Sequence, residues 1–437
     1  MDNDRTQVQN FSRRALLVTG LQGVVFIGLG ARLFHLQVME SGRYKTLAEN
    51  NRIDVQWLPP RRGKILDAKG KVLADNTHDF RVFVLPEQVE SLDDAMDELG
   101  KIVSINKDEK AEAKKRAKNQ NRFMPVLVRD HLGWEELSAI ELRLPELDGI
   151  QVRIGLTRSY PLGPNSAHVV GYVGAPTDKD VEDNPLYKIP DVRVGKGGIE
   201  RKENAALLGT PGSSRREVDV RGRIVRELES DEGVAGQDLT LTLDADMQDF
   251  IARRLAEGGK SGSAIVMNAF TGDVYGLVSH PSYDPNKFAT GISHADWSVY
   301  RDDITKPMTN KALQGVYPPG STFKMVTALA ALEAGVVTKD TKCFCPGHFE
   351  LGNATFHCWK KEGHGSLDVI GALAESCDVY FYSLARDLGI ERIAEMGRRL
   401  GLGAPSGTGL EEEYKGLMPD KAWKRRKYDK SWLPGET

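Results

Sequence analysis

A charge-free run, Ala15–Ala31 (ALLVTGLQGVVFIGLGA), follows Arg13 and Arg14 near the start of the chain. It has the length of a short membrane span, roughly 17–25 residues. Leu33, Phe34 and Leu36 continue it past Arg32, whose long side chain can reach back to the interface. A buried core helix and a cleaved signal peptide are the rivals. The N-terminal position and basic flank disfavour the first, and no A-x-A pattern follows to support the second. The expectation is a single-pass anchor over 15–36, a cytoplasmic tail over 1–14, and the remainder on the far side of the membrane.

That remainder has the composition of folded domains. Hydrophobic residues make up 40% and charged residues 28% of the 437 positions. The formal charge of −3 provides no general attraction to nucleic acid.

Residues 37–235 read as one polar, mixed region. Gly63–Ala74 and Phe80–Leu85 are strand-like, with a turn at Asp67–Gly70. Residues 107–118 form a solvated helix of paired charges. Glu217–Leu228 reads as a hairpin turning at Arg221–Gly222. A boundary falls near 232–244, where Asp244 is placed to cap a helix with Met247, Phe250, Ile251 and Leu255 on its apolar face. Ser263–Ser279 reads as a second hairpin around Thr-Gly-Asp. Helices dominate after 320. The pattern predicts an α+β chain, its last part (236–437) packing helices on an antiparallel sheet.

Tyr317–Gly335, YPPGSTFKMVTALAALEAG, puts Ser321 and Lys324 one turn apart at the mouth of an apolar helix. Three-residue spacing brings Oγ and Nζ onto one face. A serine hydroxyl needs a base to become a nucleophile, and a lysine becomes one when burial disfavours its charge. Phe323, Met325, Val326, Leu329 and Leu332 are expected to supply that burial. The same spacing at Ser104–Lys107 opens the polar helix, where the amine stays solvated. Further on, Ser376-Cys377-Asp378 lies between two helical patterns. Its serine can relay a proton and its carboxylate can orient a substrate amide, although a plain helix cap has the same sequence.

These residues resemble the penicillin-binding transpeptidases and serine β-lactamases, marked by S-x-x-K, S-x-N and K-[ST]-G. RRGKILDAKGKVLADN, RSYPLGPNSAHVVGYVG and GIERKENAALLGTPG resemble a class B penicillin-binding protein. HCWKKEGHGSLDV and SCDVYFYSLARDLGIERI resemble its elongation-type branch, penicillin-binding protein 2. The resemblance implies a pedestal over 37–235 and an incomplete transpeptidase domain over 236–437. It implies a D,D-transpeptidase that cross-links peptidoglycan stem peptides through acylated Ser321 and is trapped by β-lactams, with Lys324, Ser376 and Asp378 assisting. It also implies a bacterial inner-membrane location, a periplasmic catalytic part and a polytopic peptidoglycan glycosyltransferase as partner.

Asp378 stands where the general pattern has asparagine. The third motif is missing: Ser406–Leu410 (SGTGL) has Thr-Gly without a preceding lysine. Losing one oxyanion donor costs roughly 10²–10³ in rate. The sequence is therefore expected to be an inactive fragment, with a membrane-anchored, non-catalytic scaffold of the cell-wall complex as the alternative.

All four cysteines lie between 343 and 377. Cys345, Cys358, His364 and Cys377 are the expected ligands of a structural zinc, with Cys343 able to replace Cys345. No cofactor is expected for catalysis. A Cys345–Cys358 disulfide with a buried Cys377 thiol is the alternative.

Overall fold

The computed structural model describes residues 2–40, 53–119, 122, 124–189, 191–218, 224–410 and 413–437. Helix α1 (Asp2–Phe34) runs into one wider turn, His35–Met39. The stretch Val18–Met39 is long and apolar enough to cross a membrane, and none of it is buried against the body of the protein. That removes the core-helix alternative.

Strand β1 (Ile53–Leu58) is followed by β2 (Ile65–Leu66) and β3 (Val72–Val84). The two strand-like runs beyond Gly63 are thus a short strand and one long one. Asn76 to Asp79 do not break β3, because β5 pairs with it without interruption. Asp67 makes the turn between β2 and β3: its Oδ1 accepts from the main chains of Lys69 (2.8 Å) and Lys71 (2.7 Å). The polar helix is α2 (Lys107–Asn119), followed by β4 (Val126–Arg129) and β5 (Ile150–Ser159). β5 pairs antiparallel to β3 from Asp75↔Ser159 to Val84↔Ile150. Val82, Val84, Met96, Leu99, Val126 and Ile140 form the core behind this sheet.

Helix α3 (Ala167–Val170) precedes β6 (Gly212–Val218) and β7 (Ile224–Asp231), which form a separate sheet with β1. The turn expected at Arg221–Gly222 lies outside the described residues. β8 (Leu239–Thr240) pairs parallel to β2. A single apolar core, including Ile65, Leu73, Tyr160, Leu207, Leu243 and Leu277, therefore runs from the pedestal into the second half. The other carboxylate oxygen of Asp67 accepts from Ala245 N (3.0 Å) and ties the same two parts.

At this seam Glu200 is fully buried between two arginines. Arg62 Nε lies 2.6 Å and Arg158 Nε 2.7 Å from its oxygens. Arg62 also donates to Asn204 Oδ1 (3.0 Å) and Glu200 O (2.9 Å).

Helix α4 (Ala245–Glu257) begins where expected, with Asp244 Oδ1 accepting from Asp246 N and Met247 N. Its buried face differs from the apolar pattern. Phe250 is exposed, and Ala245, Gln248 and Ala252 are buried instead. Gln248 acts as a polar peg: it accepts from Leu277 N (2.8 Å) and donates to Leu277 O (2.7 Å). The helix rides on β9 (Gly262–Met267) and β10 (Val274–His280), the expected antiparallel hairpin. Helices α5 (Lys324–Glu333), α6 (Asp378–Leu388) and α7 (Ile390–Arg399) pack together around Ala328, Ala331, Val379, Leu384 and Ile393.

Candidate active site

Pro318 and Pro319 exclude a regular helix before Gly320, whose positive φ of 58° starts a tight turn. Gly320–Phe323 is that 3₁₀ turn, so Ser321 precedes α5 and Lys324 is its first residue. The expected apolar flank is only partly realised. Met325 and Leu329 are exposed, while Val326, Thr327, Ala328, Ala330 and Ala331 face inward. Small side chains let α5 approach α6 and α7 closely, which the pattern of large residues did not show.

Burial of the amine comes from α6 instead. The Lys324 side chain is 13% exposed. Its Nζ donates to Asp378 Oδ1 (2.7 Å), Ser376 O (2.8 Å) and Ser376 Oγ (3.1 Å). It also lies 5.7 Å from the centre of the Phe381 ring. Ser376 Oγ in turn donates to Ser321 Oγ at 3.0 Å. The sequence expectation of a direct Lys324–Ser321 contact gives way to a relay with Ser376 in the middle.

Ser376 has φ of +50°, a left-handed conformation unusual for a residue with a Cβ. Cys377 then stands at the N-cap position of α6 without a side-chain cap bond, and Asp378 is the first residue of the helix. The second oxygen of Asp378 accepts from Trp359 N at 3.0 Å. The structure thus gathers Ser321, Lys324, Ser376 and Asp378 into one chain of hydrogen bonds. The decoy pair stays apart: Lys107 is exposed at the start of α2, and Ser104 O accepts from Arg129.

The residues between the two motifs form two small ribbons. β11 (Cys343–Cys345) pairs with β14 (Gly365–Leu367), and β12 (His348–Leu351) with β13 (Ala354–His357). Their connections touch closely. A Cβ on Gly347 would meet Lys361 O at 2.0 Å, and one on Gly363 would meet Cys345 O at 2.1 Å. This contact brings the Cys345 and His364 turns together.

The ligand atoms of Cys345, Cys358, His364 and Cys377 all lie within 4.8 Å of one another. His364 Nδ1 is 3.7 Å from Cys345 Sγ and 3.5 Å from Cys358 Sγ. All four cysteines are unpaired. Burial pushes the Cys377 thiol up to about 12, and the neighbouring sulfurs of Cys345 and Cys358 add to it. Three sulfurs and one nitrogen in so small a volume fit a tetrahedral cation, whose bonds to sulfur are about 2.3 Å. Cys343 lies outside the group, with its Sγ 3.7 Å from Ser383 Oγ.

The expected absence of the third motif needs one correction. Lys260-Ser261-Gly262 has its letters, but before Ser321 instead of after Ser376. It opens β9, where Ser261 Oγ donates to His280 O (3.4 Å). Among the described residues no hydrogen bond joins it to the Ser321 relay. Sequence reasoning also passed over Trp359, whose adjacency to Cys358 was the available signal. Glu200, Arg62 and Arg158 lay within quoted motifs but were given no role.

Two family models cover most of the chain beyond α1: the penicillin-binding protein dimerisation domain over residues 58–241 and the penicillin-binding protein transpeptidase domain over 262–433. These matches, with the fold and the serine–lysine relay, define a penicillin-binding protein of the two-domain type. Among curated relatives, the peptidoglycan D,D-transpeptidases MrdA of Escherichia coli K12 and Haemophilus influenzae are 37% and 36% identical over 98% of this chain. The chain spans about two thirds of their length, 68% and 66%. A solved complex of penicillin-binding protein PBP2 with MreC from Helicobacter pylori superposes with a TM-score of 0.76 at 29% identity, covering 88% of this chain and 72% of that one. The chain belongs to the MrdA, or PBP2, family of class B penicillin-binding proteins.

Proposed function

We propose that the Ser321 relay performs D,D-transpeptidation on peptidoglycan stem peptides and is acylated by β-lactams. The observation that carries this reading is the unbroken path Ser321–Ser376–Lys324–Asp378. Ser321 Oγ attacks the carbonyl of the penultimate D-alanine, and its proton passes through Ser376 Oγ to Lys324; for this step both hydroxyl hydrogen bonds run in the opposite sense to the resting ones, and Nζ donates only to Ser376 O and Asp378 while it accepts. The C–N bond breaks, and the proton returns by the same route to the departing D-alanine. An amine from a neighbouring stem then attacks the ester and regenerates the serine. Asp378 holds Lys324 against Ser376 and pairs with the positive charge of the protonated amine.

Labelling with a fluorescent penicillin tests this directly. The expected result is a covalent adduct that Ser321→Ala abolishes. A folded protein that takes no label supports the inactive fragment or the non-catalytic scaffold instead.

The chain is anchored by α1 with Arg13 and Arg14 on the cytoplasmic side, leaving the relay periplasmic. Its partners are a polytopic peptidoglycan glycosyltransferase and a protein of the kind that MreC is for the Helicobacter relative. Cys345, Cys358, His364 and Cys377 hold a structural zinc that fastens the ribbons to the start of α6. Stoichiometric zinc in purified protein, with thiols released only by a chelator, is the expected result. A metal-free protein with all four thiols titratable rejects the zinc.

A further inference from the structure

Trp359 is held in place more firmly than an exposed side chain needs to be. Its main-chain N–H is bound by Asp378 Oδ2 (3.0 Å), and its indole N–H donates to Glu375 O (3.1 Å), one peptide before Ser376. Its ring meets the His364 ring edge-on at 5.3 Å. Yet the side chain remains 63% exposed. A large, flat, apolar surface kept rigid and uncovered is the usual form of a ligand contact, because little ordering is lost when it is covered.

Its position says which ligand. The indole is fixed to the peptide that carries Ser376, and the main chain of the same residue is fixed to the carboxylate holding Lys324. The ring is thereby held beside the residue whose Oγ meets Ser321 Oγ. We propose that Trp359 is a specificity-determining wall of the acyl-donor site, packing against the apolar group that the donor carries beside its reactive carbonyl. In a penicillin this is the acyl side chain; in a stem peptide it is the aliphatic part of the residue preceding the D-alanines. This inference rests on the acyl-transfer reading of Ser321.

The test compares two probes on the full chain. Benzylpenicillin has an aromatic side chain, and 6-aminopenicillanic acid has the same reactive ring without it. The readout is the ratio of their second-order acylation rate constants, followed by competition with a fluorescent penicillin. Trp359→Ala is expected to lower the ratio about tenfold, the scale of an apolar contact in a binding pocket. Any residue but proline at 359 retains the N–H to Asp378, so the lysine's anchor survives. Trp359→Phe keeps a flat face but loses the bond to Glu375, and is expected to restore most of the ratio.

A ratio unchanged in Trp359→Ala overturns the proposal, even if both rates fall. A Phe variant as impaired as the Ala variant overturns it too, because the indole hydrogen bond would then be what matters. Should Trp359→Ala not fold, the contact is read by indole fluorescence. Benzylpenicillin is expected to perturb the Ser321→Ala protein and to leave Ser321→Ala/Trp359→Phe unperturbed; equal responses refute the contact. Wild-type protein that reacts with neither probe removes the acyl-transfer reading and this one together. Wild-type protein that reacts while the ratio stays fixed removes only this one.

Discussion

Two charged clusters sit in this molecule, and they differ in whether their open end reaches solvent. At the seam, Glu200 has no exposed surface, and both its oxygens are taken by Arg62 and Arg158. Tyr160 OH adds a longer contact at 3.4 Å. Beside α5, Lys324 and Asp378 are 13% and 23% exposed, and their path ends in a serine hydroxyl open to solvent. In the first cluster both carboxylate oxygens are taken, and the one atom left without a partner among the described residues, Arg158 Nη2, is buried out of a substrate's reach. The second stops one partner short, at the atom where a substrate carbonyl would arrive. Charged residues alone therefore do not distinguish structure from chemistry; the open end does.

Lys324→Ala is the strongest way to challenge this contrast. Removing a general base costs about 10²–10⁴-fold in rate. Labelling by fluorescent penicillin should fall by that factor, with a smaller loss of stability than at Glu200, because Asp378 keeps solvent contact and the Trp359 N–H. A large loss of stability would erase the distinction. Glu200→Gln is the reciprocal change. It leaves two buried guanidinium groups without their counter-charge, at a cost of about 3–5 kcal/mol. A urea titration should show that loss, with acylation of the remaining folded protein retained.

His168 provides a third case, a buried titratable group with no ionic partner. Its Nε2 has no hydrogen-bond partner among the described residues. Its ring meets Tyr283 edge-on at 5.2 Å. Burial, reinforced by nearby Lys311, lowers its pKa to about 4. The unfolded chain takes up a proton near pH 6.5, and the folded one does so only near 4. Stability is therefore full above 6.5 and falls as pH drops toward 4, by about 2 kcal/mol at pH 5. Denaturant midpoints at pH 7 and pH 5 measure it, and His168→Phe should flatten the slope. The smallest effect concerns Ser376. Gly tolerates its φ of +50°, so Ser376→Gly should be about 1 kcal/mol more stable than Ser376→Ala, with both losing the relay.

The sequence made the ordered elements legible where a local rule governs them. Asp244 capped its helix because a side-chain acceptor before an apolar period is a local signal, and the Thr-Gly-Asp hairpin is likewise local. The serines, Lys324 and Asp378 stood out because their spacing follows from one helical turn and one cap. Cys345, Cys358, His364 and Cys377 were chosen from residue type and turns, and they lie together. What escaped was non-local. The face of α4 is decided by Gln248 reaching across to Leu277, which no periodicity encodes. The dry side of Lys324 is made by α6, more than fifty residues further on. Trp359 gains significance only through Asp378 and Glu375, two partners that fold back to meet it.

The twisted backbone at position 376 bears on how such a site persists. The residues at ease in that geometry are glycine and asparagine. A change to either would make a slightly sturdier protein with a severed proton path. A serine at this position therefore keeps the proton path at the expense of backbone ease.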